Sequence, residues 1–185
     1  MKKIILMAAM ALISSVGFAQ VKIAHVNYTE LVQLMPEADE ARAAMNASSN
    51  EAQETYQAMI EEYQTKATEY QQKASTWTQT IRESKEKALQ DMGNRIAEFE
   101  QSIQNELAAQ QNQLMAPIMQ KANETVQKLA KDGGYAFVFE TSQMIYVDSA
   151  QCTDLTPAAR KALNIKEGRT LEDLQAELMA QAQMQ

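Results

Sequence analysis

The chain has 185 residues with 24 acidic and 17 basic side chains, a formal net charge of −7, and a single cysteine. An acidic surface repels nucleic acids and anionic lipid head groups at long range, so neither is expected as a partner. Because Cys152 can form no internal disulfide, the fold must be held by packing. Nothing basic surrounds Cys152 in the sequence, which favours a small buried side chain over a reactive thiol.

Residues 1–19 predict a cleaved secretory signal peptide. Lys2 and Lys3 precede ten apolar residues, 4–13, and small side chains lie three and one positions before a cut ahead of Gln20. Ten apolar residues are too few to span a bilayer, which needs about 20, so no stable membrane anchor is expected. Cleavage would remove 19 residues and two lysines, leaving a soluble mature chain of 166 residues with a charge of −9 outside the inner membrane.

Residues 20–36 predict a short strand followed by a short helix. The β-branched run over residues 21–27 indicates the strand. Asn27 precedes Glu30 by three positions, the spacing of a capping box, so the helix should begin there and end near Pro36.

Residues 37–131 predict a long antiparallel helical hairpin, called the arm below. Only Gly93 and Pro117 interrupt residues of high helix propensity, over a run far longer than an ordinary helix. Apolar residues recur at heptad-like spacing in both halves of this run. A stripe about one residue wide cannot bury itself, so the halves must pack on each other or on other chains. Residues 75–80 are poor in strong helix formers and predict the tip of the hairpin.

Pro117 predicts a kink in the second helix of the arm. It lies fourteen residues before Lys131, about where the arm should join the rest of the molecule, and could act as a hinge about which the arm swings. A fixed bend that only shapes the molecule explains it equally well, and both interpretations stay open.

The chain after the arm predicts short elements again. Gly133 and Gly134 should end the second helix. Residues 135–140 and 144–148 predict two strands joined by residues 141–143 in a β-hairpin. Residues 154–163 predict a short helix, and a second capping-box pattern opens in a C-terminal tail, residues 164–185, that is expected to be helical.

Residues 20–36 and 132–163 form the predicted base, and the fold class is α+β, mostly α. Three short strands and two short helices bury too little apolar area for an independent core, and apolar strands with open edges aggregate. Both problems disappear when several copies pool their strands in one closed sheet, so a homo-oligomer is expected. The predicted shared core consists of Ile23, Val26, Phe137, Phe139, Ile145 and Val147.

This layout resembles the Skp/OmpH family of periplasmic chaperones, up to about Leu163. The resemblance rests on the order and spacing of six short strings around a charged hairpin of this length. They are Lys22-Ile-Ala-His-Val-Asn27, Leu34-Met-Pro-Glu37, Leu114-Met-Ala-Pro-Ile118, Gly134-Tyr-Ala-Phe-Val-Phe139, Ile145-Tyr-Val-Asp148 and Asp154-Leu-Thr-Pro157.

The resemblance implies a periplasmic homotrimer whose strands form a shared β-barrel from which three arms extend. It further implies an ATP-independent holdase that binds unfolded outer-membrane proteins between the arms and prevents their aggregation. This chain departs from the family in two ways. Its acidic charge differs from strongly basic members, which puts lipopolysaccharide and lipid binding in doubt, and its tail exceeds the family pattern.

Aromatic and methionine side chains of the arm are the candidate client-binding residues, because they offer large and adaptable apolar contact area. The same residues could instead form the seam between the two helices. Heptad spacing favours the seam for Tyr56 and Tyr63, and both interpretations stay open for Tyr70 and Trp77 near the tip. The candidates are Tyr56, Met59, Tyr63, Tyr70, Trp77, Met92 and Phe99.

The sequence predicts no enzyme, and no catalytic residue, cofactor or metal site is expected. His25, the single histidine, has no Cys, Asp or Glu at a ligand spacing, which favours a structural role. The sequence contains no nucleophile motif or glycine-rich phosphate loop. The alternative to a chaperone is a structural coiled-coil spacer or adaptor of the cell envelope, which should have a tightly packed seam.

Overall fold

Two long helices and a small three-stranded sheet make up the described part of the chain, residues 21–183 of a computed structural model. The predicted signal peptide, residues 1–19, lies outside these residues. In chain order the elements are β1 (Ile23–Val26), α1 (Tyr28–Leu34), α2 (Pro36–Lys73), α3 (Gln79–Gly133), β2 (Phe137–Glu140), β3 (Cys152–Asp154), α4 (Thr156–Ala162) and α5 (Leu171–Ala182).

The arm is an antiparallel hairpin of α2 and α3, which confirms the predicted architecture. A 3-10 turn, Ala74–Thr76, reverses the chain at the tip. The Gln110 Nε2 donates to the Ser48 Oγ at 2.9 Å across the middle of the hairpin, and the Tyr70 hydroxyl donates to the Glu86 carboxylate near the tip. At about 1.5 Å per residue, the 38 residues of α2 extend roughly 57 Å.

The arm helices begin and end where the sequence supplies suitable termini. Pro36 occupies the first turn of α2, where its missing N–H is not needed, and Glu37 and Asp39 complement the positive end of the helix dipole. Gly134 ends α3 in the left-handed region with φ 68°, and its N–H donates to the last carbonyls of the helix. Only glycine adopts that conformation without steric cost.

The sheet of the base has the order β2-β1-β3, and both pairs of strands are parallel. Ile23 pairs with Phe137 on one side and with Cys152 on the other. The strand from the start of the chain is therefore the central strand, and the two strands from its end lie on either side. The outer edges of β2 and β3 have no strand partner within the described chain.

The predicted β-hairpin over residues 135–148 is wrong. Residues 141–143 form a 3-10 turn, residues 144–148 form no strand, and the third strand is Cys152–Asp154. An antiparallel partner of β2 would need the edge of β2 that faces away from β1, whereas the chain crosses to the other side of β1. The residues at 144–148 therefore keep a strand-like composition but pair with no strand of the described chain, and the outer edge of β2 stays open.

The core of the base lies between one face of the sheet and the helices around it. Ala24 and Val26 of β1 are buried there, together with residues of α1, the first turns of α2, the last third of α3, and α4. The predicted cap of α1 is present, since the Asn27 Oδ1 accepts from the Glu30 N–H at 3.0 Å. The Glu140 carboxylate accepts from the Tyr28 N–H at 2.7 Å and ties β2 to the same helix end.

Pro117 lies inside α3 at the level where the arm meets the base. The helix is assigned continuously through it, and Ile118 directly after it is buried in the core. The tail forms α5, and its predicted capping box is present: the Asp173 N–H donates to the Thr170 Oγ1 at 3.1 Å, and the Thr170 N–H donates to the Asp173 carboxylate at 2.9 Å.

Candidate functional site

The seam of the arm buries very little. Among the described residues between Ala41 and Ile118, Ile96 alone is buried, with 9% of its surface exposed. All seven candidate client-binding residues are half-buried: Tyr56, Met59, Tyr63, Tyr70, Trp77, Met92 and Phe99. The heptad stripe is therefore only partly covered along most of the arm. It supplies packing between the helices and, at the same time, apolar surface in contact with solvent.

The aromatic residues nearest the tip form an ordered cluster. The rings of Tyr70 and Trp77 meet edge to face with centroids 5.8 Å apart, and the Lys85 ammonium lies 5.6 Å from the centre of the Trp77 ring. The hydrogen bond to Glu86 raises the pKa of Tyr70, since the carboxylate favours the protonated phenol. Because Lys85 and Glu86 belong to α3, the cluster connects both helices, and Ile81 beside it is exposed.

Farther down the arm, the structure places Tyr63 against the opposite helix. A Cβ built on Gly93 would lie 4.0 Å from the Cε2 of the Tyr63 ring, an ordinary contact distance. Tyr63 therefore takes part in the seam, in the direction that heptad spacing favours. Like the neighbouring residues of the stripe, Tyr63 is half-buried, so packing in the seam and contact with another molecule are compatible.

The outer face of the sheet carries a group of apolar side chains. Phe137 and Phe139 are 58% and 46% exposed, and their rings stack with centroids 6.2 Å apart. Strand register puts Ile23 and Cys152, both half-buried, on the same face as Phe137. Ile145 is fully exposed, and its chain neighbours Met144 and Tyr146 line a cleft with Ile23 and Cys152.

Five of the six residues predicted for a shared core thus lie at or near this outer face, with Val147 half-buried. Val26 is the exception, because it points to the other side of β1 and is buried in the chain's own core. The period of two along a strand could have separated Val26 from Ile23, but the short strand gave no sign of which face the helices cover.

His25 lies on the same face as Phe139 and ties the sheet together. Its Nδ1 is 3.0 Å from the Thr141 Oγ1 and 3.8 Å from the Asp154 carboxylate, and 13% of its side chain is exposed. Thr141 follows β2 and Asp154 ends β3, so one imidazole contacts both neighbours of the central strand.

Sequence reasoning missed the ion pair that joins the tail to the start of the arm. The Arg169 guanidinium binds the Asp39 carboxylate, which lies 130 positions earlier in the chain. This contact, above all the hydrogen bonds, holds the pKa of Asp39 below its usual range. The capping pattern at Thr170 predicts a helix start beside Arg169, but no signal in a single sequence pairs two charges so far apart.

No helix among residues 21–183 is long and apolar enough to cross a membrane. The model of the family of OmpH-like outer membrane proteins matches residues 22–163. No curated protein sequence matches the chain significantly.

The fold is similar to the crystal structure of a Caulobacter crescentus CB15 protein assigned as an OmpH-like outer membrane chaperone. The two have a TM-score of 0.70 and 17% sequence identity over 80% of this chain and 86% of the other. At that identity the similarity supports the fold alone, whereas the family match covers more than half of the sequence. The chain therefore belongs to the family of OmpH-like outer membrane proteins.

Proposed function

We propose that the protein is an ATP-independent holdase chaperone of the periplasm, which binds unfolded outer-membrane proteins between helical arms and prevents their aggregation. The observation that carries this proposal is the thin seam of the arm, in which Ile96 alone is buried between Ala41 and Ile118 among the described residues. A spacer would be expected to bury its heptad positions, because stiffness requires a packed seam.

Half-exposed aromatic and methionine side chains suit the capture of unfolded membrane strands. Such strands carry apolar side chains at alternate positions, and they vary in shape from one client to the next. Tyr and Trp offer large contact area on few rotatable bonds, and Met adapts to irregular partners. Each contact is weak, so retention would come from avidity over several contacts, and release would need only a stronger competitor such as folding in the membrane.

A periplasmic location is supported by two independent observations. The predicted signal peptide, residues 1–19, would direct export, and the family match is to outer-membrane-related proteins. The C. crescentus relative is assigned as an outer membrane chaperone, which supports the same assignment for this chain.

We further propose that three copies pool their sheets into one closed barrel. The parallel sheet has an open edge at β2 and another at β3, so neighbouring copies could pair edge to edge. The exposed rings of Phe137 and Phe139 would then fill the interior, as would the exposed side chain of Ile145. Closure would cover both the open edges and the apolar face.

An aggregation assay tests the holdase proposal. An unfolded outer-membrane barrel is diluted from urea with and without a severalfold excess of the mature protein, and light scattering is followed. We expect suppression by the parent protein and weaker suppression by Trp77→Ser at the tip. The matched control is Gln72→Ser, which changes an exposed residue on the polar outer face of α2. No suppression of aggregation by the parent protein would favour the spacer. Equal suppression by the two variants would mean that the aromatic cluster does not bind the client.

The oligomer proposal has its own test. Phe139→Asp would place an unpaired charge in the shared core, which costs several kcal/mol, so multi-angle light scattering should report a monomer. Met179→Asp is the control, because Met179 is similarly exposed, at 56%, but lies on α5 away from the sheet. A Phe139→Asp protein that remains trimeric would contradict the proposed core.

A further inference from the structure

The tail beyond the family match packs against the base. The family model ends at residue 163, yet Ile165 and Leu174 that follow are buried in the core cluster. The tail therefore folds back onto the molecule and does not hang free. It reaches the start of the arm helix α2 through a pair of charged side chains.

Arg169 makes the direct contact between the tail and the arm. Both of its terminal nitrogens bind the two oxygens of the Asp39 carboxylate, with 2.8 Å between Nη2 and Oδ1. Only 16% of the Arg169 side chain is exposed, against 38% for Asp39. A planar guanidinium that binds both carboxylate oxygens fixes the direction as well as the distance of its partner, which a single hydrogen bond does not.

The base also holds the loop between α4 and α5, residues 163–170, in which Arg169 lies. On α4, the Arg160 Nη2 donates to the backbone carbonyl of Arg169 at 2.6 Å and to that of Lys166 at 3.3 Å. The Arg160 Nη1 also pairs with Glu30 on α1. The loop is therefore fixed to two base helices through Arg160 and to the arm through Arg169.

Of the two arm helices, α3 runs unbroken into the core of the base, whereas α2 does not continue from α1 and enters the core only through its first turns. Beyond the Asp39 contact, α2 and α5 diverge around a cleft of about 890 Å³, whose walls include Asn46 and Gln181. The tail thus contacts α2 close to the base. A small rotation of the arm at this level displaces the far tip of the arm by a much larger distance.

We propose that residues 164–182 are a strap that sets the direction in which the arm leaves the base, with the Arg169–Asp39 pair as its lock. Opening the lock would free the tail from α2 and widen the range of arm positions. The strap would operate whether or not the arms capture unfolded proteins, because it acts on the position of the arm alone.

Distance measurements between spin labels test the strap directly. One pair of labels, at Asn46→Cys and Gln181→Cys, spans the cleft and reports tail docking. A second pair, at Lys161→Cys and Gln79→Cys, reports the arm relative to the base. All four positions are exposed. The mature chain carries Cys152→Ser, and labelled protein is diluted with unlabelled protein to remove distances between copies.

The lock is opened from both sides with neutral replacements. Arg169→Gln and Asp39→Asn should each broaden both distance distributions toward longer values, and the double variant should broaden them no further than either single one. Glu177→Gln is the matched control, because Glu177 lies 3.4 Å from the same guanidinium but is 60% exposed and has no hydrogen bond or ion pair to the arm. It should leave both distributions unchanged.

Two outcomes would overturn the strap. If the cleft pair broadens while the arm pair stays narrow, the tail docks without governing the arm. If neither pair changes in the variants, Arg169 is not the lock. Circular dichroism establishes that each variant is folded, and the parent protein in about 1 M salt gives a variant-free check. Screening of the part-exposed pair should reproduce the broadening, and unchanged distances in salt would count against the lock.

Discussion

Replacing Gly93 by Ala should stabilise the protein. Gly93 lies inside α3, where Ala is favoured over Gly by about 0.8–1 kcal/mol because Gly loses more backbone freedom on folding. The new Cβ would meet the Tyr63 ring at 4.0 Å, which is an ordinary contact and adds a little apolar burial to the seam. We therefore expect a gain of about 1 kcal/mol in the free energy of unfolding, which for a chain of this size raises the melting temperature by roughly 2–4 °C.

The matched control for Gly93→Ala is Gly134→Ala, which should have the opposite sign. No atom lies within 4 Å of a Cβ at Gly134, so space is not limiting, but its φ of 68° is strained for any residue with a side chain. We expect a loss of about 1 kcal/mol from the left-handed conformation. Both variants are measured by thermal and urea unfolding at one protein concentration, because assembly makes the melting temperature depend on concentration. Destabilisation by Gly93→Ala would refute the reasoning and indicate that the helices need a closer approach there than the structure gives.

Four further predictions concern the arm and the base. Ile96→Ala should lower the free energy of unfolding by about 2 kcal/mol, which urea unfolding measures. This is the low end for a buried aliphatic residue, because the residues around Ile96 are only half-buried. A loss below about 0.5 kcal/mol would mean that the seam contributes little to stability. Arg169 first, and Arg42 after it, lower the pKa of Asp39, so the stabilisation from the ionised Asp39 is present above about pH 4 and is lost as the pH falls through the lowered pKa. Asp39→Asn should flatten stability against pH in that window, and an unchanged profile would contradict the pairing of Asp39 with these cations. Because the chain carries 24 acidic side chains, client binding should depend mainly on apolar contact, and the affinity should fall little from low to physiological salt. A steep loss of affinity with salt, measured by fluorescence anisotropy, would indicate a local basic surface. Pro117→Ala should restore a backbone hydrogen bond and raise the melting temperature. If Pro117 is a hinge, the substitution should also narrow the distribution of distances between labelled arm tips. A rise in stability with an unchanged distance distribution would identify a fixed bend.

The elements that the sequence predicted well are those whose signals are local. Heptad spacing and helix propensity predicted the arm. The three-residue spacing of capping-box residues predicted the starts of α1 and α5 at Asn27 and Thr170. Their energies depend on near neighbours, so one sequence contains the information. The predicted hairpin over residues 135–148 was wrong because strand composition does not identify the partner of a strand. In the structure β2 pairs with β1 instead.

The candidate site divides in the same way. The seven arm residues share a stripe because their spacing places them there, and all seven are half-buried. How far each one is covered depends on the width of the seam, which the spacing does not give. The Arg169–Asp39 pair could not be predicted because charged residues are common on helices, and only the folded tail brings these two together.

The parallel order of the sheet also determines when the base can form as the chain emerges. Ile23 pairs with Phe137, 114 residues later, so the central strand has no partner until almost the whole arm has been made. Closing so long a loop in an unfolded chain is slow and entropically costly. A helical hairpin removes most of that cost, because α2 and α3 fold through contacts between near neighbours and return the chain to its starting point. The arm would thus act as the assembly guide of its own base, and changes that weaken the hairpin should slow formation of the sheet without touching any of its strands.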